Sequence, residues 1–132
     1  MTDPVSERLL RPDPLIAIVG ATDAPGKYGG IIYRDMKAKG YRVVGVNPQR
    51  PTVDGDPAYA SLADLDEVPD IVNIVVPPQR TMRVLEQAAL IEDVAVWIQP
   101  GAADDAVRAR VDELGLPALI DACIMVRART RS

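Results

Sequence analysis

The sequence of 132 residues has no histidine and a single cysteine, Cys123. Without histidine, a Ser-His-Asp triad, a histidine-ligated zinc site and phosphohistidine chemistry are all excluded. One cysteine excludes an intramolecular disulfide and a cysteine-rich metal site. No paired carboxylates, nucleophile–base pair or metal-ligand cluster stands out in the sequence. We therefore expect a protein that has no metal site and no catalytic machinery of its own.

Long apolar runs are also missing, since no stretch approaches the ~20 residues needed to span a bilayer. The N-terminus carries Asp3 and Glu7 with no apolar segment behind them, so we expect a cytoplasmic protein without membrane contacts. The net charge of −4 argues against nucleic-acid binding, which normally requires a basic face. A small anionic ligand remains compatible with this charge if backbone N–H groups and a few cations hold it.

Apolar segments of strand length alternate with segments of helical spacing along the chain. The apolar segments predict five strands at 15–19, 41–46, 71–76, 94–98 and 118–120. Helical spacing predicts helices at 28–39, 80–90 and 103–114, and a short helix within 2–11. Strands joined by helices pair in parallel through right-handed crossovers. The sequence therefore predicts an α/β fold with a doubly wound, parallel, five-stranded Rossmann-like sheet in the order 3-2-1-4-5.

The length of the chain fits one domain over residues 1–132. Residues 1–14 are expected to form a helical lead-in, and residues 127–132 a flexible, solvated tail. Residues 49–59 contain two prolines and a glycine, which predicts an irregular loop. Asn73 lies inside the third predicted strand, where we expect a neighbouring loop to satisfy its side chain.

The loop from Gly20 to Lys27 follows the first strand and leads into a helix. Ligands of doubly wound sheets bind outside the carboxyl ends of the strands. Loop N–H groups and a helix N-terminus favour phosphate there. The loop does not match the dinucleotide fingerprint, because the next glycine after Gly20 is Gly26. Asn47 and Pro48 stand where a ribose-binding acidic residue is expected, which further disfavours NAD. For the glycines of the loop, the alternative to ligand binding is that they serve turn geometry alone.

Five short segments stand at or directly after the ends of the predicted strands, in order: Gly20-Ala-Thr, Val46-Asn-Pro-Gln-Arg50, Val76-Pro-Pro, Trp97-Ile-Gln and Asp121-Ala-Cys. Together they resemble the stand-alone CoA-binding-domain proteins, which are in turn similar to the N-terminal domain of the succinyl-CoA synthetase alpha subunit. The resemblance extends over residues 15–126 and implies a pocket for coenzyme A. The sequence departs from it at Val76, where many relatives carry arginine. The phosphorylated histidine of the synthetase has no counterpart here, so synthetase activity is not expected.

The resemblance implies that Thr22 to Pro25 line the phosphates and that Ile98 to Pro100 flank the pantetheine. Arg50 stands where the synthetases have a phosphate-binding lysine. A cation there suits the ribose 3′-phosphate of coenzyme A, although Arg50 also fits a solvated loop cation. The complete set of candidate coenzyme A ligands is Gly20, Ala21, Thr22, Asp23, Ala24, Pro25, Lys27, Asn47, Pro48, Arg50, Pro77, Arg80, Ile98, Gln99 and Pro100.

We therefore predict a protein that binds coenzyme A or an acyl-CoA. Two alternatives are an NAD(P)- or nucleotide-binding regulatory module and a non-catalytic subunit of an enzyme that uses acyl-CoA. Cys123 fits either a small buried residue or a thiol that forms a mixed disulfide with the coenzyme. The acyl group, the protein partner and the oligomeric state are left open by the sequence.

Overall fold

A mixed sheet forms the centre of the molecule in the computed structural model, which describes residues 3–131. Residues 1, 2 and 132, at the outer ends of the predicted lead-in and tail, lie outside the described residues. Within residues 3–131 the sheet has seven strands in the order β3-β4-β2-β1-β5-β6-β7. All neighbouring strands pair in parallel except β3 and β4. The strands are β1 (Leu15–Val19), β2 (Arg42–Val46), β3 (Thr52–Val53), β4 (Asp56–Tyr59), β5 (Ile71–Ile74), β6 (Ala95–Ile98) and β7 (Ala118–Ile120).

Helices cover both faces of the sheet. They are α1 (Pro4–Glu7), α2 (Tyr28–Ala38), α3 (Pro78–Ala88), α4 (Asp105–Leu114) and α5 (Ile124–Arg127). Ile16 and Ile18 of β1 pack in the core layer that contains α1, α2 and α5, whereas Ala17 and Val19 pack in the layer of α3 and α4. Because β1 is buried on both faces, it reads as a continuous apolar run. None of the helices within residues 3–131 is long and apolar enough to cross a bilayer.

The strand order corrects the predicted order 3-2-1-4-5. The five predicted strands are arranged 2-1-3-4-5, as β2-β1-β5-β6-β7. The predicted order would place the third of them, Ile71–Ile74, at an edge of the five-stranded sheet. These residues are all buried, and the strand finds neighbours on both sides between β1 and β6. The point where the strand order reverses therefore lies between β1 and β5.

The prediction of an irregular loop at residues 49–59 is wrong, because this segment forms β3 and β4. Asp54 and Gly55 connect the two strands with φ angles of 51° and 80°. A two-residue turn with two positive φ angles is the hairpin geometry that Asp-Gly favours. Pro57 lacks an N–H group, but it lies opposite the two-residue edge strand β3, where the missing donor costs little.

The carboxyl-terminal segment lies against the rest of the molecule, where the sequence predicts a solvated tail. The guanidinium group of Arg131 donates hydrogen bonds to the carbonyl oxygens of Leu9, Arg11 and Pro12 at 2.9, 3.0 and 2.8 Å. It also lies over the ring of Tyr41, 5.3 Å from the centroid. Residues 128–131 therefore join the lead-in to the sheet. This packing could not be predicted from the sequence, because the segment is rich in arginine and has no apolar pattern.

Candidate functional site

A cleft of about 950 Å³ opens at the carboxyl ends of β1, β2, β5 and β6. Val19 ends β1 and Val46 ends β2, and Val75 directly follows β5; all three line the cleft. Its volume lies within the range of small-molecule sites. It also lies where the strand order reverses, which is the usual ligand position in a doubly wound sheet.

Many of the candidate residues predicted from the sequence lie together on the wall of this cleft. They are Gly20, Thr22, Ala24, Lys27, Asn47, Pro48, Pro77, Arg80 and Pro100. The other candidates, which do not line the cleft, are Ala21, Asp23, Pro25, Arg50, Ile98 and Gln99. Ala21 and Ile98 are fully buried in the core. The Gln99 side chain accepts the N–H of Ile124 at 2.9 Å, so it holds the start of α5.

Other residues of the cleft were not among the sequence candidates. They are Val19, Tyr28, Gly29, Val46, Gln49, Ala60, Val75, Val76, Pro78, Arg83, Val84, Gln87, Gly101 and Ala102. Several of these directly adjoin predicted residues in the chain. Arg83 follows Arg80 by three positions on α3, and this spacing on a helix signals that both side chains share a face. Cys123, which is half-buried before α5, is not a lining residue.

The first loop, residues 20–27, is shaped by side chains that hydrogen-bond within the protein. The Asn47 amide group donates to the carbonyl oxygen of Ala21 at 2.9 Å and accepts the N–H of Gln49 at 2.9 Å. The Thr22 hydroxyl accepts the N–H of Ala24 at 3.1 Å. The loop therefore presents to a ligand its backbone groups, the O–H donor of Thr22 and the side chain of Lys27.

The N-terminus of α2 opens directly into the cleft. Lys27 precedes the helix without capping it by a side-chain hydrogen bond. Among residues 3–131, no acceptor is found for the backbone N–H groups of Tyr28 and Gly29, and both residues line the cleft. A Cβ atom on Gly29 would lie 1.9 Å from the carbonyl oxygen of Gly20, so only glycine lets the helix approach the loop this closely. Free N–H groups and the helix dipole favour an anion here.

Three cations line the cleft, Lys27 on the side of α2 and Arg80 and Arg83 on α3. Within residues 3–131, none of the three forms an ion pair. No aspartate or glutamate is found among the described residues that line the cleft. In a chain with a net charge of −4, this wall is a local region of positive potential that favours anionic ligands.

Arg50 faces a carboxylate outside the cleft. Its Nη1 lies 4.0 Å from Oδ2 of Asp23, and Oδ1 of Asp23 accepts the N–H of Asp54 at 2.8 Å. Asp23 therefore joins the first loop to the β3–β4 hairpin. The phosphate-binding role expected for Arg50 stays a prediction.

The hairpin is in turn fixed to α2. The Tyr33 hydroxyl donates to Asp56 at 2.7 Å, and Lys37 donates to Asp56 at 2.8 Å and to Asp54 at 3.2 Å. Burial, together with the bond to Asp56, raises the pKa of Tyr33 well above its usual range. The bond from Lys37, followed by that from Tyr33, lowers the pKa of Asp56. These contacts support the first loop from its outer side.

Comparison with known proteins finds a matching family and several relatives. Residues 15–129 match the family described as "CoA binding domain". An uncharacterized protein of Bacillus subtilis, YneT, is 28% identical over 91% of this chain and 89% of its own length. An ADP-forming acetate–CoA ligase of Archaeoglobus fulgidus is 32% identical over 61% of this chain, but the match spans only 12% of the ligase.

Solved structures show the same fold in chains of similar size. A conserved hypothetical protein of Pyrococcus furiosus is 33% identical, with a TM-score of 0.80 over 86% of this chain and 97% of that one. A Thermus thermophilus protein is 32% identical, with a TM-score of 0.82 over 96% of both chains. The predicted α/β Rossmann-like class is therefore confirmed, although the number and order of strands differ from the prediction.

Proposed function

This chain belongs to the CoA-binding domain family, and we propose that it binds coenzyme A or an acyl-CoA in the cleft at the carboxyl ends of β1, β2, β5 and β6. The observation that carries the proposal is the charge of the cleft wall. Lys27, Arg80 and Arg83 line it without ion-pair partners in the described chain, and no acidic residue accompanies them. Coenzyme A brings a pyrophosphate and a ribose phosphate, whose negative charges these cations offset.

The pyrophosphate is assigned to the N-terminus of α2. The free N–H groups of Tyr28 and Gly29 and the positive end of the helix dipole lie there, with Lys27 beside them. The pantetheine arm is assigned to the apolar part of the cleft, formed by Val76 and Pro100 among others. Of the segment Ile98 to Pro100, Pro100 is the residue that lines the cleft.

The cleft is less suited to NAD. Dinucleotide sites of the Rossmann type place an acidic residue after the second strand to bind the ribose hydroxyl groups. Here Asn47 stands after β2, and its amide group is engaged with Ala21 and Gln49. We therefore infer that the adenosine part of the ligand carries a phosphorylated ribose, as in coenzyme A, and not the free ribose of NAD.

Calorimetric titration with CoA, NAD and ATP in the same buffer tests the proposal. We expect CoA to bind more tightly than NAD and ATP. Lys27→Gln removes one cation at the pyrophosphate and should weaken CoA binding by about tenfold. Arg127→Gln, an exposed cation on α5 that does not line the cleft, serves as the matched control and should leave the affinity unchanged. Binding of NAD without binding of CoA would reject the proposal.

The second part of the proposal is that the isolated chain binds its ligand without converting it. Among the described residues, the cleft presents cations, amides, the hydroxyl-bearing Thr22 and Tyr28, and apolar groups, but no carboxylate or thiol to act as base or nucleophile. Incubation with acetyl-CoA should leave the thioester unchanged relative to buffer, as followed by chromatography. Turnover that disappears on Arg80→Gln would show instead that the cleft is an active site.

A further inference from the structure

We propose that Arg80 and Arg83 form a subsite on α3 that binds the ribose 3′-phosphate of coenzyme A. This assignment rests on the proposed binding of CoA and identifies the residues that select the phosphorylated ribose. It differs from the assignment that the family resemblance implies, in which Arg50 meets that phosphate.

The two arginines share one face of α3. They are three positions apart, which places their side chains next to each other on a helix. Val84, Leu85 and Ala88 occupy the buried face of α3, whereas both arginines are exposed and line the cleft. Two guanidinium groups side by side offer several N–H donors to the oxygens of a single phosphate monoester.

The position of α3 separates this subsite from the pyrophosphate position. α2 follows β1 and α3 follows β5, and these strands are neighbours on either side of the reversal in strand order. The two helices pack on opposite faces of the sheet. Their N-terminal turns therefore flank the cleft from opposite sides. A single CoA molecule could therefore place its pyrophosphate at α2 and its 3′-phosphate at α3.

Arg50 is less well placed for the same task. It does not line the cleft, and its guanidinium group faces the carboxylate of Asp23 at 4.0 Å. A phosphate at Arg50 would have to compete with this carboxylate and would lie near its negative charge. Arg80 and Arg83 have no such competitor, because no carboxylate among the described residues pairs with them.

Titration with CoA and with 3′-dephospho-CoA tests the subsite. The two ligands differ only in the 3′-phosphate, so the ratio of their dissociation constants reports the contacts to this group. For the unmodified chain we expect CoA to bind about a hundredfold more tightly. The double variant Arg80→Gln/Arg83→Gln should bring the ratio close to one, because it should weaken the binding of CoA far more than the binding of 3′-dephospho-CoA.

Two further variants make the result decisive. Arg129→Gln, an exposed arginine that does not line the cleft, should keep the full preference for CoA. If Arg50→Gln removes the preference and the double α3 variant keeps it, the subsite is at Arg50 and the inference is overturned. If the unmodified chain binds both ligands equally, no 3′-phosphate subsite exists although the proposed function stands. If it binds neither ligand, the proposed function itself fails.

Discussion

Asn73 departs from the rule that buried polar side chains find hydrogen-bond partners. It is fully buried in β5, and neither atom of its amide group has a partner within residues 3–131. Its cross-strand neighbours are Ile18, which is apolar, and Trp97, whose indole N–H already donates to the carbonyl oxygen of Ala122. The sequence predicts a partner in a nearby loop, and this prediction is wrong, because no loop group among the described residues forms a hydrogen bond with the amide.

Replacement of Asn73 by valine should stabilise the protein. The change removes an unpaired buried amide and suits a strand, so we expect the free energy of unfolding to rise by about 1 kcal/mol. Urea unfolding of both proteins measures the difference. Thr81→Val is the matched control, because the Thr81 hydroxyl is buried but donates to the carbonyl oxygens of Val76 and Pro77. The control should lose about 1 kcal/mol, and an equal loss in both variants would contradict the account of Asn73.

The lowered pKa of Asp70 predicts how the free energy of unfolding depends on pH. Burial raises the pKa of its carboxyl group, but the bonds from the N–H of Leu15 and from Arg11, each 2.8 Å, outweigh burial and lower it. A carboxylate whose pKa is lower in the folded state stabilises the protein above its unfolded pKa of about 4. This contribution is lost as the pH falls through the folded pKa.

The matching experiment follows the free energy of unfolding from about pH 6 to about pH 3. Asp70→Asn should cost about 1–3 kcal/mol at neutral pH, because two hydrogen bonds to a charged group are weakened. The variant should then lose less of its remaining stability on acidification than the unmodified protein does. Asp112→Asn, an exposed residue of α4, should follow the unmodified curve. Parallel curves for all three proteins would exclude Asp70 as a contributor.

At the scale of elements, the approach of α2 to the first loop decides whether the helix N-terminus reaches the cleft. Gly29→Ala would place a Cβ atom 1.9 Å from the carbonyl oxygen of Gly20, so backbone must move. We expect a loss of about 3 kcal/mol in the free energy of unfolding, at the upper end of overpacking costs, and a loss of CoA binding. Urea unfolding and calorimetry measure the two effects.

Gly115→Ala separates this close contact from the general cost of replacing a glycine. Gly115 has a φ of 66°, and a Cβ there would meet nothing within 4 Å. The control should cost only about 1–2 kcal/mol for the left-handed backbone. It should bind CoA normally, because it lies after α4 and does not line the cleft. Normal CoA binding by Gly29→Ala would show that the helix N-terminus does not hold the ligand.

Five of the seven strands and the helices that connect them were predictable, whereas the hairpin strands β3 and β4, the short helix α5 and the order of strands in the sheet were not. Ile71–Ile74 is apolar at all but one position, which indicates a buried strand but not which strand it joins. Its place beside β1 depends on residues after β2, where Asp54 and Gly55 turn the chain into a hairpin that fills the sheet edge. The prolines in this segment suggested a loop, although Asp-Gly is itself a hairpin signal.

The position of the candidate site in the fold was predictable, but not every residue that lines it. The rule that ligands lie at the carboxyl ends of strands located the cleft, since Gly20 and Asn47 follow strands directly. Arg83 lies within α3, beyond the loops to which the rule applies. The orientation of Arg50 toward Asp23 depends on a contact between two loops, which no local pattern encodes.

For the whole molecule, the charge of the cleft predicts how ligand binding and stability are linked. The chain carries a net charge of −4, yet three cations line its cleft. Among the described residues, no aspartate or glutamate lines the cleft with them. A ligand that binds only the folded state stabilises it, by about 2.7 kcal/mol at a hundred times the dissociation constant. CoA should therefore raise the midpoint of thermal unfolding. The gain should shrink as NaCl is raised, because salt screens the attraction between phosphates and exposed cations.

Pantetheine distinguishes phosphate binding from burial of the apolar arm, because it keeps the arm and lacks every phosphate. At equal concentration it should shift the unfolding midpoint far less than CoA does, and its small effect should not fall with salt. Thermal unfolding of the double variant Arg80→Gln/Arg83→Gln with CoA should show a smaller and less salt-sensitive gain than the unmodified chain. A gain from CoA that is equal in low and high salt, and equal to that from pantetheine, would mean that the cations of the cleft do not bind the phosphates.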